Sequence, residues 1–341
     1  MRDPKVTVLM PVFNGERYLK EAMESILRQT LSDLEFLIVD DGSKDQSVNV
    51  IKSFKDERIR LVINERKLGL SASLNKGIQL AKGEYIARMD SDDISHPNRL
   101  AEQIAFMDKH LDIGICGTWI ESVGDIEGTS WQPPVSHKRI CVEMLFLCCL
   151  AHPTVMMRRS VLLKHSLLYD EKMPHVEDYE LWARALNSTK LSNIPKVLLK
   201  LRKHGHAKSL NSEQESFTDR VRKQMLSRLL PGFSDEDHAL HKSIAEPNPR
   251  PSKEFLIRAH SWFSRLISAN ERNGICDSQS LKWVLAHKWF YAARKLPPFE
   301  LLLWKDFWRL SFESFACLSP FQKAASVYYL LKILTRSSRS I

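Results

Sequence analysis

Asp90 and Asp92, two apart at the end of an apolar run, are the residues of this 341-residue chain whose type and spacing most directly suggest chemistry. In extended backbone, side chains at i and i+2 point to the same side, so the two carboxylates can address one ligand together. They stand in the stretch Asp90-Ser91-Asp92-Asp93, and a second acidic pair, Asp40-Asp41, ends another apolar run. Any one of these aspartates has an ordinary explanation as a turn or capping residue, and capping of the following helix is the preferred reading of Asp45. Five aspartates at two strand ends are different, because they repel one another unless something positive joins them. A divalent cation that prefers oxygen ligands, Mg2+ or Mn2+, meets that need. An Asp-x-Asp triplet alone is frequent by chance; its place at a strand end gives it value.

The elements that must position these groups are legible as an alternation. Val6–Pro11, Leu34–Val39, Ile59–Ile63 and Glu84–Met89 read as strands, with helical spacing over Gly15–Gln29 and Leu70–Ala81 between them. Further strands are expected at Leu111–Ser122, His152–Met157 and Val197–Leu201, and a short helix at Val176–Leu186. Apolar strands separated by helices predict an α/β fold with a mostly parallel sheet covered on both faces. Ligands of such sheets bind at the carboxyl ends of the strands. Three strands, ending at Pro11-Val12-Phe13-Asn14, Asp40-Asp41 and Asp90, deliver their polar residues to that one edge.

In order and spacing, several stretches resemble family 2 glycosyltransferases of the GT-A fold, notably bacterial enzymes of surface-polysaccharide assembly. They are Pro11-Val12-Phe13-Asn14-Gly15, Val39-Asp40-Asp41-Gly42-Ser43 with Asp45, Asn75 with Gly77, and Gly83-Glu84-Tyr85 through Asp93. Pro97 with Arg99-Leu100, His152-Pro153-Thr154 and Glu177-Asp178-Tyr179-Glu180-Leu181-Trp182 follow. The resemblance covers about the first three-fifths of the chain and implies a Rossmann-like GT-A domain over residues 1–210. It also implies transfer of a sugar from a nucleotide diphosphate, commonly UDP, to an acceptor hydroxyl on a saccharide or a lipid-linked saccharide. Residue by residue, Pro11 and Phe13 are expected to line the base pocket, Asp40 to bind the nucleobase, Asp90 to face the ribose and Asp92 to ligate the metal. Asp178 is expected to be the catalytic base, with Glu177 and Trp182 at the acceptor. Asn75 is a candidate for the nucleotide site, with helix packing or a local hydrogen bond as the alternative. An Arg-x-His pattern is matched by Arg202-Lys203-His204 and makes His204 a candidate metal ligand; His206 is less favoured, and for Arg202 a surface ion pair competes with a phosphate contact. The chemistry is coherent: a positioned carboxylate takes the acceptor's proton, the cation stabilises the leaving diphosphate, and a single displacement inverts the anomeric carbon. Two features of the wider family are missing. No Gln-x-x-Arg-Trp motif is present, which argues against a processive synthase, and Leu167-Leu168-Tyr169-Asp170 lacks the glycines usual before the base.

Composition bounds the rest. The chain is 43% hydrophobic and 27% charged, which is ordinary for a folded protein and argues against disorder. The six cysteines form no CxxC pair and read as reduced, buried thiols. The apolar run that ends at Pro11 has no small-residue cleavage site, and the longest uninterrupted apolar stretch, Met144 to Ala151, is far too short to span a bilayer. A cytoplasmic location is therefore expected. Residues 1–210 carry 30 Lys and Arg against 28 Asp and Glu, whereas residues 211–341 carry 20 against 13, so the basic excess belongs to the C-terminal region. That region, 211–341, reads as mainly helical, with Trp262, Trp283, Trp289, Trp304 and Trp308 among basic residues. A helical core is the preferred explanation of these tryptophans. Peripheral contact with the inner leaflet, through Phe299–Leu310 and Phe321–Leu334, is the functional alternative. A catalytically silent nucleotide-sugar-binding module is a rival reading that donor hydrolysis excludes. A nucleic-acid-binding protein is another, but it leaves the acidic strand ends unexplained, so no nucleic-acid partner is expected. A dinucleotide oxidoreductase is disfavoured because no GxGxxG follows the first strand. Oligomeric state is open.

Overall fold

The computed structural model of the chain describes residues 3–125, 127–203, 212–246, 251–293 and 295–296. They fall into two compact units, one formed by the chain up to Ile140 together with Cys148–Val221, the other by Cys141–Leu147 and the described residues from Arg222 onward. The first unit opens with β1 (Val6–Val12), α1 (Glu16–Leu27), β2 (Leu34–Asp40), α2 (Ser47–Ser53), β3 (Ile59–Ile63), α3 (Leu70–Leu80) and β4 (Tyr85–Arg88). It continues through β5 (Ile94–Ser95), α4 (Arg99–Lys109), β6 (Ile113–Gly124), β7 (Ser130–Trp131) and α5 (His137–Glu143). Then come a 3-10 turn (His152–Thr154), β8 (Met156–Arg158), α6 (Arg159–Lys164), α7 (Glu177–Ala185) and β9 (Lys190–Lys203). Helix α8 (Ser212–Leu229) enters the second unit, which holds α9 (Asp235–Ala245), α10 (Lys253–Asn273) and α11 (Ser278–Ala293).

Among the described residues the nine strands make one sheet in the order β3-β2-β1-β4-β8-β6-β9-β5, with β7 on β6. β1, β2, β3, β4, β6 and β9 point one way; β5, β7 and β8 oppose them. This is the mostly parallel α/β sheet the alternation predicts. All seven residues of β1 and of β2 are buried, as strands covered on both faces require. The expected strand over His152–Met157 is shorter. Pro153 lacks the N–H a ladder needs, and the Thr154 hydroxyl donates to Ala151 O (2.7 Å), so a turn precedes β8. The expected Val197–Leu201 strand is only the end of a longer one, pairing with β6 from Lys190 onward.

The turn into β4 admits no side chain. A Cβ on Gly83 would lie 2.3 Å from Thr7 N and 2.6 Å from Val6 C, both backbone atoms that cannot step aside. Gly83→Ala is therefore expected to destabilise the fold by about 1–3 kcal/mol, the usual cost of overpacking. The measurement is the urea midpoint of unfolding; an unchanged midpoint refutes the close approach.

In the second unit two tryptophans are core, as the helical reading expects. Trp262 Nε1 donates to His241 Nδ1 (3.1 Å), so His241 holds its proton on Nε2 and donates it to Leu145 O (2.8 Å). Burial lowers the His241 pKa to about 3, and the ring is neutral. Trp289 Nε1 donates to Leu256 O (2.9 Å). Among the described residues no helix is long and apolar enough to cross a membrane. Phe299–Leu310, Phe321–Leu334, Trp304 and Trp308 lie outside the described residues.

Candidate active site

The parallel strands β1, β2 and β4 end side by side, and their last residues build the first wall of the site. Pro11 is buried inside β1, level with Val39, which leaves Phe13 as the exposed member of the expected pair. The Lys67 ammonium sits 4.0 Å from the centroid of the Phe13 ring. At the end of β2 the two neighbouring aspartates part company. Asp41 is spent on the protein: its oxygens accept from Leu68 N (2.8 Å), Gly69 N (2.9 Å) and Asn64 Nδ2 (2.9 Å), fixing the loop into α3. Asp40 uses only Oδ1, which accepts from Gly42 N (3.2 Å) and Ser43 N (3.0 Å). Its Oδ2 is buried with no partner among the described residues. An orphaned buried acceptor is costly, and a ligand N–H would satisfy it. Asp45, as expected, bonds backbone at a helix start, accepting from Glu16 N and Ser47 N (both 3.0 Å).

The second wall is acidic. β4 stops at Arg88, and the following residues turn instead of continuing extended, so the i, i+2 argument for Asp90 and Asp92 does not describe how they meet. The turn achieves more: it gathers Asp90, Asp92 and Asp93, each offering an oxygen within 4.8 Å of the others. Burial, together with the charges of Asp90 and Asp92, pushes the Asp93 carboxyl up to about 8, and its Oδ2 is buried without a partner among the described residues. Three converging oxygens, one of them orphaned, fit a hard divalent cation. Arg88 ion-pairs with Asp90 from below. The fully buried Arg99 donates to Pro153 O (2.6 Å) and Arg88 O (3.3 Å), tying the end of β4 to the turn at His152. From β9, Arg202 fixes the same loop through its Nε to Asp92 O (2.9 Å) and its N–H to Asp93 Oδ1 (2.8 Å), and its guanidinium pairs with Glu21. Arg202 is thus occupied by the protein, in keeping with the ion-pair reading. His204 and His206 lie outside the described residues.

The third wall is the first turn of α7, where Glu177, Asp178 and Glu180 suit the positive end of the helix dipole. Asp178 is half-buried. Its Oδ1 accepts from Tyr179 N (2.7 Å), and Cys148 Sγ donates to Oδ2 (3.7 Å). Burial first, and the adjacent Glu177 charge second, raise its pKa to about 6, against the opposing pull of the Tyr179 N–H and Arg88. Glu177 is buried at the head of the helix. Trp182, expected to wall the acceptor pocket, is fully buried; its ring packs edge-on against Tyr169 (6.5 Å) and His152 (6.1 Å), so it supports the wall from behind. The Asn75 amide, a candidate for the nucleotide site with a hydrogen-bonding or packing role as the alternative, is directed onto backbone: Nδ2 donates to Tyr169 O (2.9 Å), and Tyr169 N donates to Oδ1 (2.8 Å).

Asp93, Arg88, Arg99, Tyr169 and Cys148 were not assigned roles from sequence. Asp93 adjoins Asp92 and Arg88 lies two residues before Asp90, so both were within reach of the motif; Arg99, Tyr169 and Cys148 are brought in by other parts of the chain.

A mostly parallel sheet with a carboxylate cluster at its strand ends, and a further carboxylate of raised pKa at the head of α7, is the architecture of an α/β enzyme whose ligands bind at the carboxyl ends of the strands. The chain belongs to glycosyl transferase family 2, whose family model matches residues 7–166. It is 31% identical over 241 residues to an uncharacterized glycosyltransferase of Haemophilus influenzae, covering 67% of this chain and 75% of that one. It is 32% identical over 195 residues to the Escherichia coli UDP-Glc:alpha-D-GlcNAc-diphosphoundecaprenol beta-1,3-glucosyltransferase WfgD, covering 57% and 74%. In fold it is similar to the crystal structure of S. aureus TarS 1-349 in complex with UDP-GlcNAc, with a TM-score of 0.55 at 17% identity over 85% of this chain and 88% of that one.

Proposed function

We propose that this glycosyltransferase moves a sugar from a UDP-linked donor to an acceptor hydroxyl with inversion, the acceptor being a saccharide of surface-polysaccharide or glycolipid assembly. The observation that carries the reading is the half-buried Asp178, its pKa raised to about 6, at the head of α7 and within electrostatic reach of Arg88, the ion partner of Asp90. A carboxylate with that pKa is ionised at neutral pH yet more basic than an exposed one, as a general base needs to be. The WfgD name, with its UDP-linked donor and lipid-diphosphate acceptor, supports the same substrate classes.

Asp40 Oδ2 accepts from a nucleobase N–H, and Phe13 offers its exposed ring beside the base. Asp90, in its ion pair with Arg88, faces the ribose. Asp92, flanked by Asp90 and Asp93, would hold Mg2+ or Mn2+, which when bound supplies charge neutralisation at the departing diphosphate. Asp178 takes the proton from the acceptor hydroxyl as the oxygen attacks the anomeric carbon. Burial and the Glu177 charge raise the Asp178 pKa, and the Tyr179 N–H and the Arg88 charge oppose that rise.

The test is a panel of nucleotide sugars, each followed for nucleotide release with Mg2+, with Mn2+ and with chelator. A UDP-sugar turned over only with metal is the expected result; no turnover of any donor favours a silent binding module and refutes the proposal. Asp40→Asn replaces the orphaned oxygen by an NH2 that cannot accept. UDP affinity is expected to fall about 10–10²-fold, the equivalent of about 1–3 kcal/mol for an unsatisfied buried group. Calorimetric titration with UDP measures it, and unchanged affinity removes Asp40 from the base pocket.

A further inference from the structure

We infer that Asn75 is a positioning residue for the proton-accepting helix, setting where Asp178 stands relative to the donor, and is not a nucleotide contact. The inference rests on the reading of Asp178 as base.

Asn75 lies on α3, whose entry is locked to the end of β2 by Asp41 through Leu68 N and Gly69 N. α3 therefore moves with the strand ends assigned to the donor. Across 94 residues of sequence, the Asn75 amide grips both backbone groups of Tyr169, with Nδ2 donating to the carbonyl (2.9 Å) and Oδ1 accepting from the N–H (2.8 Å). Two reciprocal bonds from one rigid planar amide fix a peptide in position and in orientation. A side chain with only a donor or only an acceptor can make one of them.

What Tyr169 touches explains why its placement matters. Its ring packs edge-on against Trp182, one turn beyond Asp178 on α7. Its hydroxyl meets His152 Nε2 at 2.9 Å, and the His152 ring, 5.4 Å from that of Tyr169, also packs edge-on against Trp182. The residue before it, Leu168, offers its carbonyl to Arg184 Nη2 (2.5 Å), also on α7. The Tyr169 segment is thus the piece of chain on which α7 is seated, and Asn75 is what holds it to the donor side of the sheet. Loosening it displaces the base by a fraction of an ångström or more. Misplacement by about 1 Å at a reacting group can cost about 10²-fold in rate.

The experiment compares wild type, Asn75→Ala, Asn75→Asp and Asp178→Asn in the full chain. Three quantities are read: hydrogen exchange at the Tyr169 amide, UDP affinity with Mg2+, and nucleotide release from the donor that wild type turns over fastest in the panel. For Asn75→Ala the expected result is faster Tyr169 exchange, UDP affinity within about 2-fold of wild type, and turnover at saturating donor lower by about 10–10²-fold. Asn75→Asp keeps an acceptor for the Tyr169 N–H but sets a carboxylate oxygen against the Tyr169 carbonyl, so its turnover should fall at least as far as that of Asn75→Ala. It decides the matter by the same readings if Asn75→Ala does not fold. UDP affinity weakened tenfold with normal turnover at saturation overturns the inference in favour of a nucleotide contact. Unchanged exchange and unchanged turnover overturn it outright. Asp178→Asn with near-normal turnover signals instead that the base reading has failed.

Discussion

Asp178→Asn is expected to lower turnover by about 10²–10⁴-fold, the contribution typical of a positioned general base, while UDP binds nearly as it does to the wild type. Asparagine keeps the size of the side chain, an oxygen for the Tyr179 N–H (2.7 Å in the wild type) and the packing of α7, but it cannot accept a proton. UDP affinity survives because Asp40 and the cluster at Asp90, Asp92 and Asp93 belong to other elements. The loss belongs in turnover, since the interaction is made only as the acceptor attacks. The pH profile sharpens the test. The Asp178 carboxyl has its pKa raised to about 6, so below that pH it holds its proton and is useless as a base. Wild-type turnover should fall about tenfold per pH unit below about 6 and level off above it, and this limb should vanish in the Asn variant. Glu177→Gln is the control: it removes a like charge beside Asp178, so the limb moves to lower pH with a smaller loss of rate. The sugar first released to water, followed by proton coupling before it mutarotates, should carry the anomeric configuration opposite to the donor's. Retention, or near-normal turnover in Asp178→Asn, takes Asp178 out of the role.

The parts of this site that were legible in the sequence are those where one element carries both the signal and the function. Asp40 and Asp90–Asp93 follow directly on apolar strands, so alternation and the strand-end rule place them at one edge without any tertiary knowledge. Asp178 came only through resemblance, since nothing in the local sequence around α7 shows which strands it faces. What the sequence did not show has physical reasons. Pairing between remote segments sets the bonds of Asn75, whose clasp partner is 94 residues away, and of Arg99, whose acceptors Pro153 O and Arg88 O lie on two other elements. Trp182, expected near the acceptor, is fully buried and packs edge-on against Tyr169 and His152, contacts made between segments that local spacing does not show. Asp93 was counted among the acidic strand-end residues but given no role of its own; the chain turns there and brings its oxygen to those of Asp90 and Asp92. Segment Cys141–Leu147 sits with the later helices, a placement fixed by Leu145 and the buried His241 that local patterning does not show.

Asp92→Ala should abolish turnover, a loss of at least about 10³-fold, and chelation of the wild type should do the same reversibly. The reasoning starts from charge. Asp90 has Arg88 as its ion partner, but the two carboxyls next to it converge within 4.8 Å, and burial with neighbouring charge already pushes Asp93 up to about 8. Such a cluster brings several carboxylate oxygens to one point, and oxygen ligands of this number and sign suit Mg2+ or Mn2+ over a softer metal. The loss is expected to be large because a departing diphosphate without charge compensation is a poor leaving group, and no general acid among the assigned residues stands in for the cation. A binding readout separates this from damage to the fold. Mn2+ should raise the melting temperature of wild-type protein by mass action on the folded state, and Asp92→Ala should melt at a similar temperature to the metal-free wild type but no longer respond to Mn2+. Asp93→Ala tests the residue that the turn adds to the pair: its response to Mn2+ should be weakened. Re-addition of Mg2+ or Mn2+ after chelation should restore wild-type turnover and leave Asp92→Ala inactive. Full turnover in excess chelator, or an Asp92→Ala variant that still melts higher with Mn2+, would sink the metal-dependent mechanism.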